Sequence, residues 1–196
     1  MRGLVWLVGA SAYLTLEAVA AAAFRPHYSY ADNFISDLGV PGSDSPFAWL
    51  MNLGFCVNGS LFLVGAVAVS KARPFIALTA ANAVGNVLIA IYHSGSAMHA
   101  LGAVLAIVGG NTAILAGSSI LGGWHRKASI GLGGFGLLSF AVFVIDLKSM
   151  DLPLGVVERC SVYSITGWQL LTAAALLCRR PIMTPTIGKW RSHGPR

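Results

Sequence analysis

The stretch "MRGLVWLVGASAYLTLEAVAAAAF", residues 1–24, decides the fold. Its basic start, apolar run and small-residue end are also features of a secretory signal peptide. A signal core, however, is only about 7–15 residues long, and here the apolar run is longer and carries Tyr13 and Glu17. A stretch of about 20 mainly apolar residues crosses a bilayer. The segment is therefore expected to be retained as a first transmembrane span.

The rest of the chain repeats that character. Of the 196 residues, 56% are hydrophobic and 10% charged, and the mean hydropathy is +0.72. A soluble domain carries about 25% charged residues to cover its surface, so lipid must solvate most of this one. Six segments qualify as spans: 3–24, 47–69, 74–93, 98–121, 128–147 and 157–178. Helix breakers separate them, among them Arg25-Pro26, Pro41-Gly42, Ser94-Gly95-Ser96 and Gly122-Gly123. The expected fold is all-α: a polytopic bundle of six transmembrane helices over residues 1–178, followed by a basic tail, 179–196. The fourth and fifth spans contain "GAVLAIVGGNTAILAGSS" and "SIGLGGFGLLSF", whose small residues let helix backbones approach closely in lipid. For that reason "GLGGFG", inside a span, reads as packing rather than a phosphate loop.

Lysine and arginine set the direction. Ten of the thirteen fall on one side: Arg2, Lys71, Arg73, Arg126, Lys127 and the five in the tail. Arg25, Lys148 and Arg159 make up the other three. Both termini are thus expected to be cytoplasmic, in the cell membrane. The net charge of +6 then reflects sidedness, and no nucleic-acid partner is expected. Cys56, Cys160 and Cys178 lie in apolar runs, where free cysteine behaves as a small hydrophobe. A Cys56–Cys160 bridge is the alternative.

With that orientation the connection 28–46, "YSYADNFISDLGVPGSDSP", lies outside and holds Asp32, Asp37 and Asp44, three of the seven acids. Asp146, Asp151 and Glu158 lie near the same face, and Glu17 is about four helical turns from the cytoplasmic start. Within "NFISDLG", Phe34, Ile35 and Leu38 share one face of a short helix and Asp37 takes another. This is expected to be an interfacial helix resting as a lid over the bundle.

Charged residues inside spans cost roughly 2.5 to 3.5 kcal/mol on insertion scales, so they turn toward the bundle interior. Asn82, Asn86 and His93 form a stripe on the third span, and Tyr13 and Glu17 stack on the first. On the sixth, Arg159, Tyr163 and Thr166 form one stripe, with Glu158, Ser161 and Gln169 beside it. Asn58 and Asn111 lie near mid-depth, and His99 opens the fourth span. Asparagines alone would serve as interhelical bridges, worth about 0.6 to 2 kcal/mol each. Glu17, His93, His99, Glu158 and Arg159 together point instead to a polar cavity opening outward.

At "YSYADNFISDLG", His99 opening a glycine-rich span, and the final "GVVERCSVYSITGWQLL", the chain resembles the bacterial and archaeal membrane proteins grouped as domain of unknown function 998. The resemblance covers nearly the whole chain and implies six spans, with attention on Asp37, His99, Glu158 and Arg159. It implies no reaction.

Metalloprotease, Walker and nucleophile-elbow motifs are missing. No two histidines sit at i, i+4, and no metal or cofactor is expected. Three functions fit. The pocket binds the head group of a membrane lipid or lipid-linked intermediate through Asp37, His99, Glu158, Arg159, Glu17 and Asn86. Alternatively it hydrolyses or transfers such a group, with His99 or His93 as base and Asp37 or Glu158 orienting it. In the third, the chain is a small accessory subunit of a larger membrane complex, with its polar networks satisfied and no cavity.

Overall fold

A computed structural model of the chain describes residues 2–149 and 151–178; the basic tail at 179–196 lies outside them. The described residues are all-helical: α1 (Arg2–Ala23), α2 (Ala48–Val69), α3 (Arg73–Ile91), α4 (Ala97–Ala116), α5 (Gly123–Asp146) and α6 (Leu154–Cys178). All six are long and apolar enough to cross a membrane. Two short 3-10 turns, Ile35–Gly39 and Gly117–Ser119, complete the order.

The helices start where the sequence supplies starts. Pro74 stands in the first turn of α3, where its missing N–H has no partner to lose. The Ser96 hydroxyl caps α4 by accepting the His99 N–H at 3.1 Å. α5 begins five residues before the expected span, because the helix continues through Trp124–Lys127. Hydropathy places a boundary at the charges of Arg126 and Lys127. The helix ignores it because buried His125 faces inward and meets Thr172 Oγ1 at 2.9 Å, leaving the two basic residues exposed. α6 likewise begins at Leu154, right after Pro153, rather than at 157.

Sequence neighbours pack side by side, and α1 meets α6 to close the ring. α4 touches α6 as well as α3 and α5, so it runs closest to the axis. Half of its most apolar window is buried, against 22% for α5, which lies at the periphery. The α3–α4 contact is the tightest. A Cβ on Gly85 would stand 2.3 Å from the Ala106 nitrogen and 2.5 Å from the Gly102 oxygen, so only glycine permits this approach.

The interior divides into two halves. Toward the chain termini it is an aromatic core of Trp6, Phe62, Phe75 and Trp168 with Ile114 and Ile165. The indole nitrogens are satisfied there, Trp6 donating to the Phe62 carbonyl at 3.0 Å and Trp168 to Ser129 Oγ at 2.7 Å. Toward the other end, which carries the 24–47 connection, the core is Tyr13, Tyr28, Ile35, Leu38, Met51 and Phe55. This second half includes the loop itself, which folds inward over the bundle. Ile35 and Leu38 in its 3-10 turn are fully buried. Cys56, Cys160 and Cys178 are unpaired.

Candidate functional site

The loop is held down by α6. Glu158 and Arg159 are adjacent, so on a helix they point about 100° apart. Arg159 turns toward α1 and the loop, where it is 6% exposed. Its Nη1 faces the carbonyls of Tyr30, Asn33 and Gly155, each at 2.9 Å. Nη2 donates to the Tyr28 hydroxyl and to Glu17 Oε1, the latter at 3.4 Å. The guanidinium also lies over the Tyr30 ring, 4.8 Å from its centroid. Tyr163 donates to the same Glu17 oxygen at 2.8 Å. Tyr28 passes the interaction on, donating to the Phe34 carbonyl at 2.9 Å. Burial pushes the Tyr28 hydroxyl well above its ordinary pKa, against the pull of Arg159, so it stays protonated and able to donate.

This arrangement answers why an arginine stands near the start of α6. It converts three backbone carbonyls, a phenol and a buried acid into one knot between helix and loop. Gly155 makes the contact possible: a Cβ there would lie 2.6 Å from the Asn33 oxygen and 2.7 Å from that of Ala31.

Glu158 turns the other way. Its Oε2 accepts the Ile35 N–H at 2.6 Å, fixing the start of the 3-10 turn. Ser45 donates to the Leu38 carbonyl at 2.6 Å, and the Asn52 amide to that of Gly39 at 2.9 Å. Ser94 meets Ser36 hydroxyl to hydroxyl at 3.2 Å, tying the turn to the α3–α4 connection. The loop is therefore a cap fastened to α2, α6 and the α3–α4 turn.

Beneath the cap is a cavity of about 50 Å³, lined by polar groups from five helices. Tyr13, Asn58, Asn82, Asn86, His99 and Glu158 supply these groups, and Ile35 and Ser36 of the cap form the roof. Phe55, Ile89, Val162 and Ile165 complete the walls. Half-buried His99 marks its outward side. The Tyr13 hydroxyl and Asn58 Oδ1 are buried with no hydrogen-bond partner among the described residues. Tyr13 is 1% and Asn58 6% exposed. A buried polar group left unpaired costs about 1–3 kcal/mol, so such groups face water or a ligand. The volume of about 50 Å³ admits roughly three to five waters, at about 10–15 Å³ each by this measure.

The site residues expected from sequence thus separate. Glu158, His99 and Asn86 line the cavity. Glu17 and Arg159 form the knot beside it, and Arg159 also lines an open groove of about 600 Å³ with Tyr30, Leu132, Phe135 and Tyr163. Asp37 lies on the outer side of the cap, in a hollow with Phe24, Asn33 and Ser43. Its Oδ2 accepts the Phe34 N–H at 2.9 Å. Burial pushes the Asp37 carboxyl above its ordinary pKa, opposed by that N–H, by Asn33, and by the charges of His99 and Arg159. His93 is exposed in the α3–α4 turn and lines none of these spaces.

The asparagines also divide. Asn111 bridges helices, donating to the Ile107 and Ser161 carbonyls at 2.9 Å and accepting from Ser164 at 2.7 Å. Asn82 donates to the Ala106 carbonyl at 2.6 Å and Asn86 to that of Asn82 at 2.9 Å. Asn58 Oδ1 is buried without a partner among the described residues. Tyr28, which the sequence does not single out, is 5% exposed and central to the knot. No periodic signal marks it, because it lies in an extended loop. Among the described residues no three His, Cys, Asp or Glu side chains converge as a metal set.

The fold and site define a class: a polytopic helical membrane protein with a capped polar cavity at one end. Over residues 7–175 the chain matches the family described as "Protein of unknown function (DUF998)", and it belongs to that family. Comparison with curated proteins and with solved structures finds no match.

Proposed function

We propose that this protein binds the polar head group of a membrane lipid or lipid-linked intermediate in the capped cavity, on the extracytoplasmic face. What carries the reading is the cavity itself, with Tyr13 and Asn58 in its wall and their Oη and Oδ1 without a hydrogen-bond partner among the described residues. The outward direction rests on the ten-to-three division of lysine and arginine. The arginine knot holds the cap, and the cap and helices shape the cavity. Access for a lipid runs past His99 and the exposed apolar ends of α3 and α4, where Ile91, Tyr92, Met98 and Leu101 face outward.

A second reading has one observation in its favour: His99 and Glu158 line the same cavity. His99 Nδ1 is 2.8 Å from the Tyr92 carbonyl, which only accepts, so Nδ1 carries the hydrogen. Nε2 is then the basic nitrogen, as a hydrolase or transferase acting on the head group would need.

Native mass spectrometry of the purified protein tests the binding reading. The wild type is expected to retain a lipid, and the Tyr13→Phe/Asn58→Leu variant to lose at least tenfold of it. Equal lipid retention by both would overturn the assignment. Turnover of the identified lipid, abolished by His99→Ala, would move the conclusion to the second reading.

A further inference from the structure

The hydrogen-bonding groups on the cavity wall specify what enters it, given the binding reading above. In the asparagine pair the amide nitrogens are engaged within the protein, Asn82 to Ala106 and Asn86 to Asn82. Their oxygens remain, and that of Asn86 has no partner among the described residues. Glu158 commits Oε2 to the Ile35 N–H, leaving Oε1. His99 commits Nδ1 to the Tyr92 carbonyl and stands in the cavity wall with Nε2 uncommitted. Asn58 Oδ1 is unpartnered. Beside these three oxygens, of Asn86, Glu158 and Asn58, the wall offers the hydroxyls of Tyr13 and Ser36 and the Asn58 amide nitrogen, and the Ser36 oxygen already accepts from Ser94. No lysine or arginine lines the cavity, and its charged wall residue is an acid. Arg159, the nearby cation, turns away into the knot. The rings of Tyr13 and Phe55 add aromatic surface to the wall.

A phosphate offers only acceptors and negative charge, and it would face Glu158 with no lysine or arginine to receive it. The complementary group brings several N–H donors and a positive charge. We infer that the cavity takes a primary ammonium group, as carried by an amine-bearing lipid head or by a small free amine. The size agrees: about 50 Å³ holds an ammonium and a carbon or two, while a phosphodiester would remain at the mouth beside Ser36 and His99. A quaternary ammonium has no N–H and would leave every acceptor unpaired. Sites built to bond N–H groups reject analogues lacking them strongly.

The test presents the purified protein in nanodiscs with phosphatidylethanolamine, phosphatidylcholine and phosphatidylglycerol at equal mole fraction. Bound lipid is counted by native mass spectrometry. A second arm adds ethylammonium chloride to delipidated protein in detergent, against sodium chloride at the same ionic strength, and follows the melting temperature. Phosphatidylethanolamine is expected to exceed either other lipid at least tenfold. Glu158→Gln, whose side-chain oxygen can still accept from Ile35, should erase that preference. Preference for phosphatidylglycerol or phosphatidylcholine would refute the ammonium while leaving lipid binding intact. Stabilisation by ethylammonium without lipid selection would keep the ammonium and remove the lipid. No selection and no stabilisation would remove both.

Discussion

Replacing Arg159 by methionine should release the cap. The substitution keeps a long unbranched side chain and removes the guanidinium. It strands Glu17, which is 1% exposed and retains only the Tyr163 hydroxyl at 2.8 Å. It also frees the carbonyls of Tyr30, Asn33 and Gly155. Removing one partner of a buried ion pair costs about 3–5 kcal/mol. The loop carbonyls lose bonds worth about 1 kcal/mol each, part of which water restores once the loop lifts. The expected loss is therefore about 3–5 kcal/mol, concentrated in the loop because every freed group but Glu17 and Gly155 belongs to it. Adding Glu17→Gln removes the stranded charge, so the double variant should recover roughly 1–3 kcal/mol. Arg159→Lys keeps the charge but not the planar fork and should fall between. Steric-trapping measurement of unfolding gives the free energies, and protease sensitivity of residues 24–47 reports the cap. An Arg159→Met protein within about 1 kcal/mol of wild type, with its loop equally protected, would refute this account of the knot.

Other outcomes follow from single contacts. Gly155→Val should raise cleavage in the loop several-fold, because its side chain meets the Ala31 and Asn33 carbonyls; unchanged protection would show that the loop does not rest there. Asp37 has a raised carboxyl pKa in the folded state, so the stability it contributes is present at low pH and is lost as pH rises through that value. Asp37→Asn keeps an oxygen for the Phe34 N–H, so it should melt no lower than wild type at pH 7–8 and equally at acid pH. A lower melting temperature at pH 7–8 would contradict the direction. For orientation, a cysteine at Ser43 should react with an impermeant reagent in intact cells, and one within residues 122–127, at the start of α5, should not; the reverse pattern would invert the topology.

The six helices were legible because lipid enforces simple rules: length, apolarity and flanking charge set each span. Their ends were less so. Arg126 and Lys127 read as a boundary, whereas the bond between His125 and Thr172 carries the helix past them. Glu158 and His99 were legible as cavity residues because ionisable groups in a span must turn inward. Helical spacing also grouped Arg159 with Tyr163 and Tyr13 with Glu17. What spacing does not encode is the path of the loop, and so Tyr28 went unmarked and Asp37 read as part of the same pocket. Asp37 instead caps its own turn at 2.9 Å and faces the outer hollow. Arg159 read as a head-group ligand because its appetite for acceptors is visible in sequence. That the acceptors are the chain's own carbonyls is a property of the folded loop.

The central claim is that the space beneath the cap is a binding site. An experimental structure of the protein in native lipid, at a resolution that shows bound small groups, tests it most directly. The account predicts density in the cavity within hydrogen-bond distance of Tyr13 Oη and Asn58 Oδ1, continuing outward past Ser36 and His99. An interior in which Tyr13 and Asn58 bond to each other or to neighbouring helices, with no density between them and Glu158, would contradict it.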